Sequence, residues 1–89
     1  MQNVYIALQN TDETRAIVAA ITSQNPQAAV TEYPAMVKID APGKLVISRE
    51  HVSEEMGRDW NIQELQLNLI SLSGNIDETD DAFTLHWHV

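Results

Sequence analysis

The segment from Met36 to Ser48 constrains the fold most, because two apolar stretches flank a sharp turn. From Met36 to Asp40 apolar and polar side chains alternate, which predicts a strand with one buried face. Pro42 and Gly43 then take the two central positions of a type II turn. Leu45 to Ser48 predicts a second strand, antiparallel to the first, so that the segment forms a β-hairpin.

The other elements are predicted from alternation, capping residues and turn residues. They are a strand from Val4 to Leu8, a helix between Thr11 and Asn25, a strand from Val30 to Tyr33, a helix from Ser48 or Arg49 to Met56, a short helix after Asn61, a strand from about Leu67 to Ser73, an acidic loop from Ile76 to Asp81 and a closing strand through Phe83, Leu85 and Trp87. The order β-α-β-β-β-α-α-β-β predicts one α+β domain over residues 1–89, with helices packed on a mostly antiparallel sheet.

Composition limits the kinds of partner and site. The 89 residues carry a net charge of −8, which argues against nucleic acid and anionic membranes, since both require a basic surface. The charge favours either solubility alone or contact with a basic protein surface. The chain has no cysteine, and therefore no disulfide or thiolate site. No apolar run is long enough to span a bilayer and the N-terminus lacks a basic signal region, so we expect a cytoplasmic protein.

The stretch from Gly57 to Asn75 combines a helix start with an unusual strand. Asn61 and Glu64 have the spacing of a capping box, in which each residue satisfies a backbone amide of the first helical turn. The apolar run that follows contains Asn68, Ser71 and Ser73. Buried polar groups need hydrogen-bond partners, so these three side chains indicate a surface that another protein covers.

Histidines and carboxylates offer the only candidate chemistry. His86 and His88 project from one face of the closing strand, and Asp77 to Asp81 forms an acidic cluster. Neither has the ligand spacing of a zinc site or an EF-hand. No serine belongs to a nucleophile motif, and no glycine belongs to a phosphate-binding motif. A binding module is favoured over an enzyme, and the alternative is a small metal- or ligand-binding module that uses His86, His88 and the acidic cluster.

Two long segments carry a family resemblance. YPAMVKIDAPGKLVI (residues 33–47) and GRDWNIQELQLNLISLSGNID (residues 57–77) closely resemble the regulatory, or effector, component of bacterial multicomponent phenol hydroxylases. That component belongs to the effector family that includes the methane and toluene monooxygenase coupling proteins. The resemblance covers essentially the whole chain, including the start VYIALQNTDETRAIV.

The resemblance implies a regulatory role without catalysis. Effectors of this family carry no cofactor and dock on a di-iron hydroxylase, where they couple electron transfer and oxygen activation to hydroxylation of the substrate. The resemblance also implies an iron–sulfur flavin reductase that supplies the electrons and competes for an overlapping surface. Such a protein binds one conformation of the hydroxylase better than another and shifts its population. The choice of phenol depends on the pocket of the hydroxylase.

The resemblance also implies a contact segment after the short helix. By position it comprises Asn68, Ile70, Ser71, Leu72, Ser73, Gly74 and Asn75. Ile70 and Leu72 replace small hydroxylated residues of the methane-oxidising relatives, which implies more apolar packing. The turns at Pro34 to Met36 and at Pro42-Gly43 are further contact candidates. A bulky substitution at Asn68 or Ser71 is expected to leave the fold intact and to weaken activation of the hydroxylase.

Overall fold

The computed structural model, which describes residues 2–87, arranges seven strands in two antiparallel sheets with three helices packed against them. The elements are β1 Asn3–Gln9, α1 Asp12–Gln24, β2 Ala29–Glu32, β3 Met36–Pro42, β4 Lys44–Ser48, α2 Arg49–Met56, a 3₁₀ helix Ile62–Leu67, β5 Leu69–Ser73, β6 Asn75–Glu78 and β7 Ala82–His86. The predicted α+β class is confirmed.

The two sheets, which we call sheet A and sheet B, enclose a common core with α1. Sheet A has the strand order β2-β3-β1-β5, and sheet B has the order β4-β7-β6. One buried cluster joins Ile6 of sheet A, Leu45 and Leu85 of sheet B, and Ile17 of α1. Every second residue of β1 and β3 belongs to this cluster, as their alternating sequences predict.

The predicted hairpin is wrong in its pairing. The turn exists, and Gly43 has a φ of +76°, but β4 pairs with β7 in sheet B rather than with β3. β3 cannot accept β4 because β1 and β2 already occupy its two edges. The Pro42-Gly43 turn therefore takes the chain from one sheet to the other.

Gly74 makes the second crossing between the sheets, from β5 to β6. Its φ is +135°, and a Cβ atom at this position would lie 2.9 Å from Cγ1 of Val4. Trp87 forms hydrogen bonds to residues near both crossings. Its indole N–H donates to the Asn3 carbonyl at 2.7 Å, and its backbone N–H donates to the Gly43 carbonyl at 3.3 Å. Strands that change sheets at bends are a known way of making the corners of packed sheets.

Two expectations for the region from Leu67 to Asp81 are also wrong. Leu67 ends the 3₁₀ helix and is 68 % exposed, so it is not part of a buried central strand. The predicted acidic loop contains β6, in which Ile76 and Asp77 pair with Leu85 and Thr84 of β7. β6 is exposed along its length, and its acidic residues conceal the strand from pattern analysis because such residues are depleted in strands.

Side-chain caps define both ends of α1. The Thr11 hydroxyl accepts the N–H of Thr14 at 3.3 Å, as the sequence predicts for an N-cap. At the other end, the Asn25 amide donates to the carbonyls of Ile21 and Val46 at 2.8 and 2.7 Å. The Asn25 side-chain oxygen also accepts the Val46 N–H at 3.0 Å. Asn25 therefore both ends α1 and covers the free edge of β4.

In the segment after α2, the helix end and the helix start lie where the sequence predicts them. Gly57 has a φ of +73° and ends α2 in the left-handed conformation. The Glu64 carboxylate accepts the Asn61 N–H at 2.9 Å, which caps the 3₁₀ helix. Trp60 is a core aromatic and is 1 % exposed. Within residues 2–87 no helix is long and apolar enough to cross a bilayer.

Candidate protein-docking surface

β5 forms one edge of sheet A and contains a β-bulge. Leu69 pairs with Leu8, and Ser71 pairs with Ala7, so that Ile70 has no partner on β1. The extra residue turns Leu69 toward the core and leaves Ile70 48 % exposed. The bulge explains why the run from Leu67 to Leu72 does not alternate regularly in sequence.

The pairing register places several of the predicted contact residues on the side of sheet A that faces away from the core. We call this side the outer face. Residues that are directly paired across antiparallel strands point to the same side of a sheet. The outer face comprises Asn3, Tyr5, Ala7, Gln9, Ala29, Thr31, Met36, Lys38, Asp40, Pro42, Ser71 and Ser73. Three residues of the predicted contact set, Met36, Ser71 and Ser73, therefore lie on one surface.

The outer face carries little charge for so acidic a protein. Of its twelve residues only Lys38 and Asp40 are charged, and their Nζ and Oδ1 atoms lie 3.8 Å apart. The chain has thirteen acidic residues, so twelve of them lie elsewhere. The cores of protein–protein interfaces are depleted of charged residues because desolvation of unpaired charge is costly. On this surface such a cost arises only at Lys38 and Asp40.

Asn68 lies inside the protein and is only 5 % exposed. Its side-chain oxygen accepts the Thr11 hydroxyl at 3.0 Å, while its Nδ2 is buried without a hydrogen-bond partner. Its backbone carbonyl accepts the Gln9 N–H at 2.7 Å. A tryptophan at Asn68 would displace these contacts, so the expectation that a bulky residue there preserves the fold is wrong. The expectation suits the exposed Ser71.

The remaining predicted contact residues are spread over both ends of sheet A. Pro34 is exposed in the turn between β2 and β3, next to Met36 and the end of β1. Gly74 and Asn75 follow Ser73 at the other end of β5. Leu72 is partly buried against the core rather than turned to solvent. The contact role of these residues stays a prediction.

The alternative metal site gains no support from the residues that the structure describes. His86 lies at the end of β7, and His88 lies outside the described residues. Asp77 belongs to β6, whereas Asp81 lies in the turn before β7 and pairs with Arg49 at 3.8 Å. Within residues 2–87 no group of three or more histidines and carboxylates is arranged to hold a metal ion.

The perturbed titratable groups serve structural roles. The N–H of Asn61 and then the Arg58 guanidinium lower the pKa of Glu64 below its usual range. Arg58 donates to Glu64 and Glu13 at 3.2 Å each, and the hydrogen bond to Glu64 raises the pKa of Arg58. A carboxyl group that acts as a general acid needs a raised pKa. The lowered pKa of Glu64 therefore indicates a helix cap and not a general acid. Arg58 and Asn61 line a polar cleft of about 1000 Å³ between α2, the loop that follows it and Asp81.

Other residues of the outer face, among them Tyr5 and Lys38, were not identified as contact residues from the sequence. Tyr5 and Lys38 stand at positions that alternate with the apolar core residues of their strands, which was visible. The pairing of β1 with both β3 and β5 was not visible, and only that pairing brings Tyr5 beside Ser73 and places Lys38 and Ser71 on either side of Ala7. The local sequence pattern shows which side of a strand a residue faces. It does not show which residues of other strands lie beside it.

Comparisons with known proteins agree on one family. The model of the MmoB/DmpM family matches residues 2–86. The stimulatory component DmpM of phenol 2-monooxygenase from Pseudomonas sp. (strain CF600) is 48% identical over 84 residues, which cover 94% of this chain and 93% of DmpM. A chain in the structure of a phenol hydroxylase–regulatory protein complex has a TM-score of 0.93 and 45% identity, with 98% of this chain and 100% of that chain covered.

A more distant structure shares the fold. The regulatory protein B of soluble methane monooxygenase matches with a TM-score of 0.77 at 22% identity. The match covers 98% of this chain and 66% of that chain. The two-sheet arrangement is therefore retained at low sequence identity.

Proposed function

This chain belongs to the MmoB/DmpM family, and from that membership we propose that it is the non-catalytic regulatory component of a phenol hydroxylase. Its activity is to dock on the hydroxylase and to stimulate hydroxylation of a phenol. The near-complete coverage of both DmpM and the regulatory chain of the solved complex supports this proposal.

The single structural observation that carries the proposal is the outer face of sheet A. A protein with a net charge of −8 holds one broad sheet surface whose two charges form a pair. Ser71 and Ser73 supply hydroxyl groups for hydrogen bonds there, and the exposed Ile70 lies at its edge. Polar groups around an apolar contact are typical of interfaces that form and dissociate repeatedly.

We propose that the docked protein acts by changing the conformation of the hydroxylase. The hydroxylase contains a carboxylate-bridged di-iron site, and the docked protein favours one conformation of that site. Oxygen activation is thereby coupled to hydroxylation, with electrons from an iron–sulfur flavin reductase whose binding surface overlaps that of this chain. All components are cytoplasmic. The regulatory protein requires no cofactor or metal of its own for this role.

The proposal is tested by reconstitution. We expect the purified protein, added to a phenol hydroxylase and its reductase, to increase phenol consumption and to decrease peroxide release. A Ser71→Trp variant should stimulate at least about tenfold less at equal concentration, since a bulky side chain prevents close approach at the interface. Its far-UV circular dichroism should match the wild type because Ser71 is exposed.

Ser23→Trp is the matched control. Ser23 is exposed on α1, which packs on the core side of sheet A and not on the outer face, and the same substitution there should leave stimulation unchanged. Failure of the wild-type protein to stimulate would contradict the regulatory function. Full stimulation by a folded Ser71→Trp protein would contradict docking through the outer face and leave the function standing.

A further inference from the structure

Lys38 holds a particular position on the outer face. Its ammonium group lies 4.5 Å from the centre of the Tyr5 ring, close enough for a cation–π interaction. Asp40 approaches from the same strand, but the 3.8 Å separation exceeds hydrogen-bond length. Both side chains are only about one-third exposed, at 34% and 28%. The ring and the carboxylate fix the ammonium group in place before any partner arrives.

The three N–H donors of Lys38 are available to a partner. Among residues 2–87 no hydrogen bond is formed by Nζ, whose contacts are the Tyr5 ring and the long ion pair with Asp40. The other residues of the outer face carry no charge. A partner that covered this face without an acceptor would leave the donors desolvated and unpaired, which is costly for a charged group.

The other lysine and arginine side chains either pair with carboxylates or lie outside the outer face. Arg58 binds Glu13 and Glu64, and Arg49 pairs with Asp81. Lys44 is exposed on β4 in sheet B, and Arg15 is exposed on α1. Lys38 is therefore the one cation at the centre of the surface that contains Ser71 and Ser73.

We propose that Lys38, held over Tyr5, is a specificity-determining contact that receives a carboxylate of the hydroxylase when the outer face docks. The inference rests on the proposed function and adds the chemistry of the partner surface: an acidic side chain surrounded by uncharged groups. Like charge across the rest of this acidic protein disfavours other acidic partners, so the single complementary site selects the correct one.

The experiment measures the dissociation constant of the effector–hydroxylase complex at several salt concentrations. We expect Lys38→Met to raise the Kd by at least about tenfold, because the carboxylate of the partner loses its counter-ion. Lys44→Met removes the same charge outside the outer face and should change the Kd by less than about twofold. Lys38→Arg keeps the charge and the contact with the ring, and should bind within about threefold of the wild type.

Two further measurements separate the contact from general charge and from folding. The Kd of the wild type should rise with salt more steeply than that of Lys38→Met. Tyr5→Leu should raise the Kd about two- to fivefold, since it removes the ring that positions the ammonium group. Circular dichroism of each variant reports the fold, and Lys38→Arg tests the site if Lys38→Met does not fold.

The outcomes distinguish the two proposals. A wild-type protein that does not bind the hydroxylase would overturn the proposed function. Binding of the wild type with equal Kd values for Lys38→Met and Lys44→Met would overturn the carboxylate contact alone. Loss of binding in Lys38→Arg equal to that in Lys38→Met would also overturn it, because charge would then be irrelevant.

Discussion

Gly74 shows how one residue can determine the path of the chain between the sheets. Its φ of +135° is unfavourable for residues with a Cβ, and the added atom would lie 2.9 Å from Val4 Cγ1. We expect Gly74→Ala to lower the free energy of unfolding by roughly 2–4 kcal/mol, measured by urea titration, because backbone strain and overpacking combine.

Gly57→Ala is the control substitution for Gly74→Ala. Gly57 also has a positive φ, +73°, but nothing lies within 4 Å of an added Cβ. Only the conformational cost of about 1–2 kcal/mol applies there. Equal destabilisation by the two alanine variants would mean that contact with Val4 contributes nothing.

At the scale of elements, the 3₁₀ helix depends on the ionised form of Glu64. Hydrogen bonds from the Asn61 N–H and from Arg58 lower the pKa of Glu64 in the folded state. A lowered folded pKa contributes stability above the unfolded pKa, and this contribution is lost as the pH falls through the folded value. We therefore expect Glu64→Gln to reduce stability at pH 7, with a difference that shrinks on acidification and disappears below the folded pKa.

Urea titrations of both proteins between pH 3 and pH 7, values that bracket the ordinary glutamate pKa, measure this difference. Glu54→Gln removes an equal charge from the exposed side of α2, and so separates the cap from the change in net charge. A Glu64→Gln difference that is constant with pH would show that the carboxylate charge is not responsible.

At the scale of the whole molecule, the two sheets should unfold together. A single buried cluster includes residues of both sheets, α1, α2 and Trp60, and a shared core favours two-state unfolding. Trp60 reports on the helical side, and Trp87 reports on the junction between the sheets. In Trp60→Phe and Trp87→Phe variants, we expect the fluorescence of the remaining tryptophan and the far-UV circular dichroism to give coincident urea transitions.

Unfolding of the junction between the sheets before the rest of the protein would contradict this expectation. In that case the fluorescence of Trp87 in the Trp60→Phe variant would change at lower urea than the circular dichroism. Both variants must also retain wild-type circular dichroism without urea, since Trp60 is buried and its replacement leaves unfilled volume.

The candidate site was predictable in part. The run that starts at Asn68 indicated an interface because it mixes apolar and hydrogen-bonding residues, and the structure places Ser71 and Ser73 on the outer face. Asn68 has the same polarity but lies inside, where Thr11 satisfies its oxygen. Sequence shows that a polar group needs a partner, but it does not show whether the partner is internal or external.

The sequence by itself determined the local features of this protein. Alternation defined β1, β3 and β7, and the caps and stops at Thr11, Asn25, Glu64 and Gly57 define helix ends through contacts within a few residues. Such features depend on backbone geometry and nearby side chains, which are readable in order along the chain.

Only the tertiary structure decided which strands pair and which surface they create. The Pro42-Gly43 turn is compatible with a hairpin, but β1 and β2 occupy both edges of β3 and send β4 to the other sheet. The same long-range pairing brings Lys38 over Tyr5 and places Lys38 and Ser71 on either side of Ala7. Edge occupancy is settled by competition among all strands for the same backbone donors and acceptors, and no single segment contains that information.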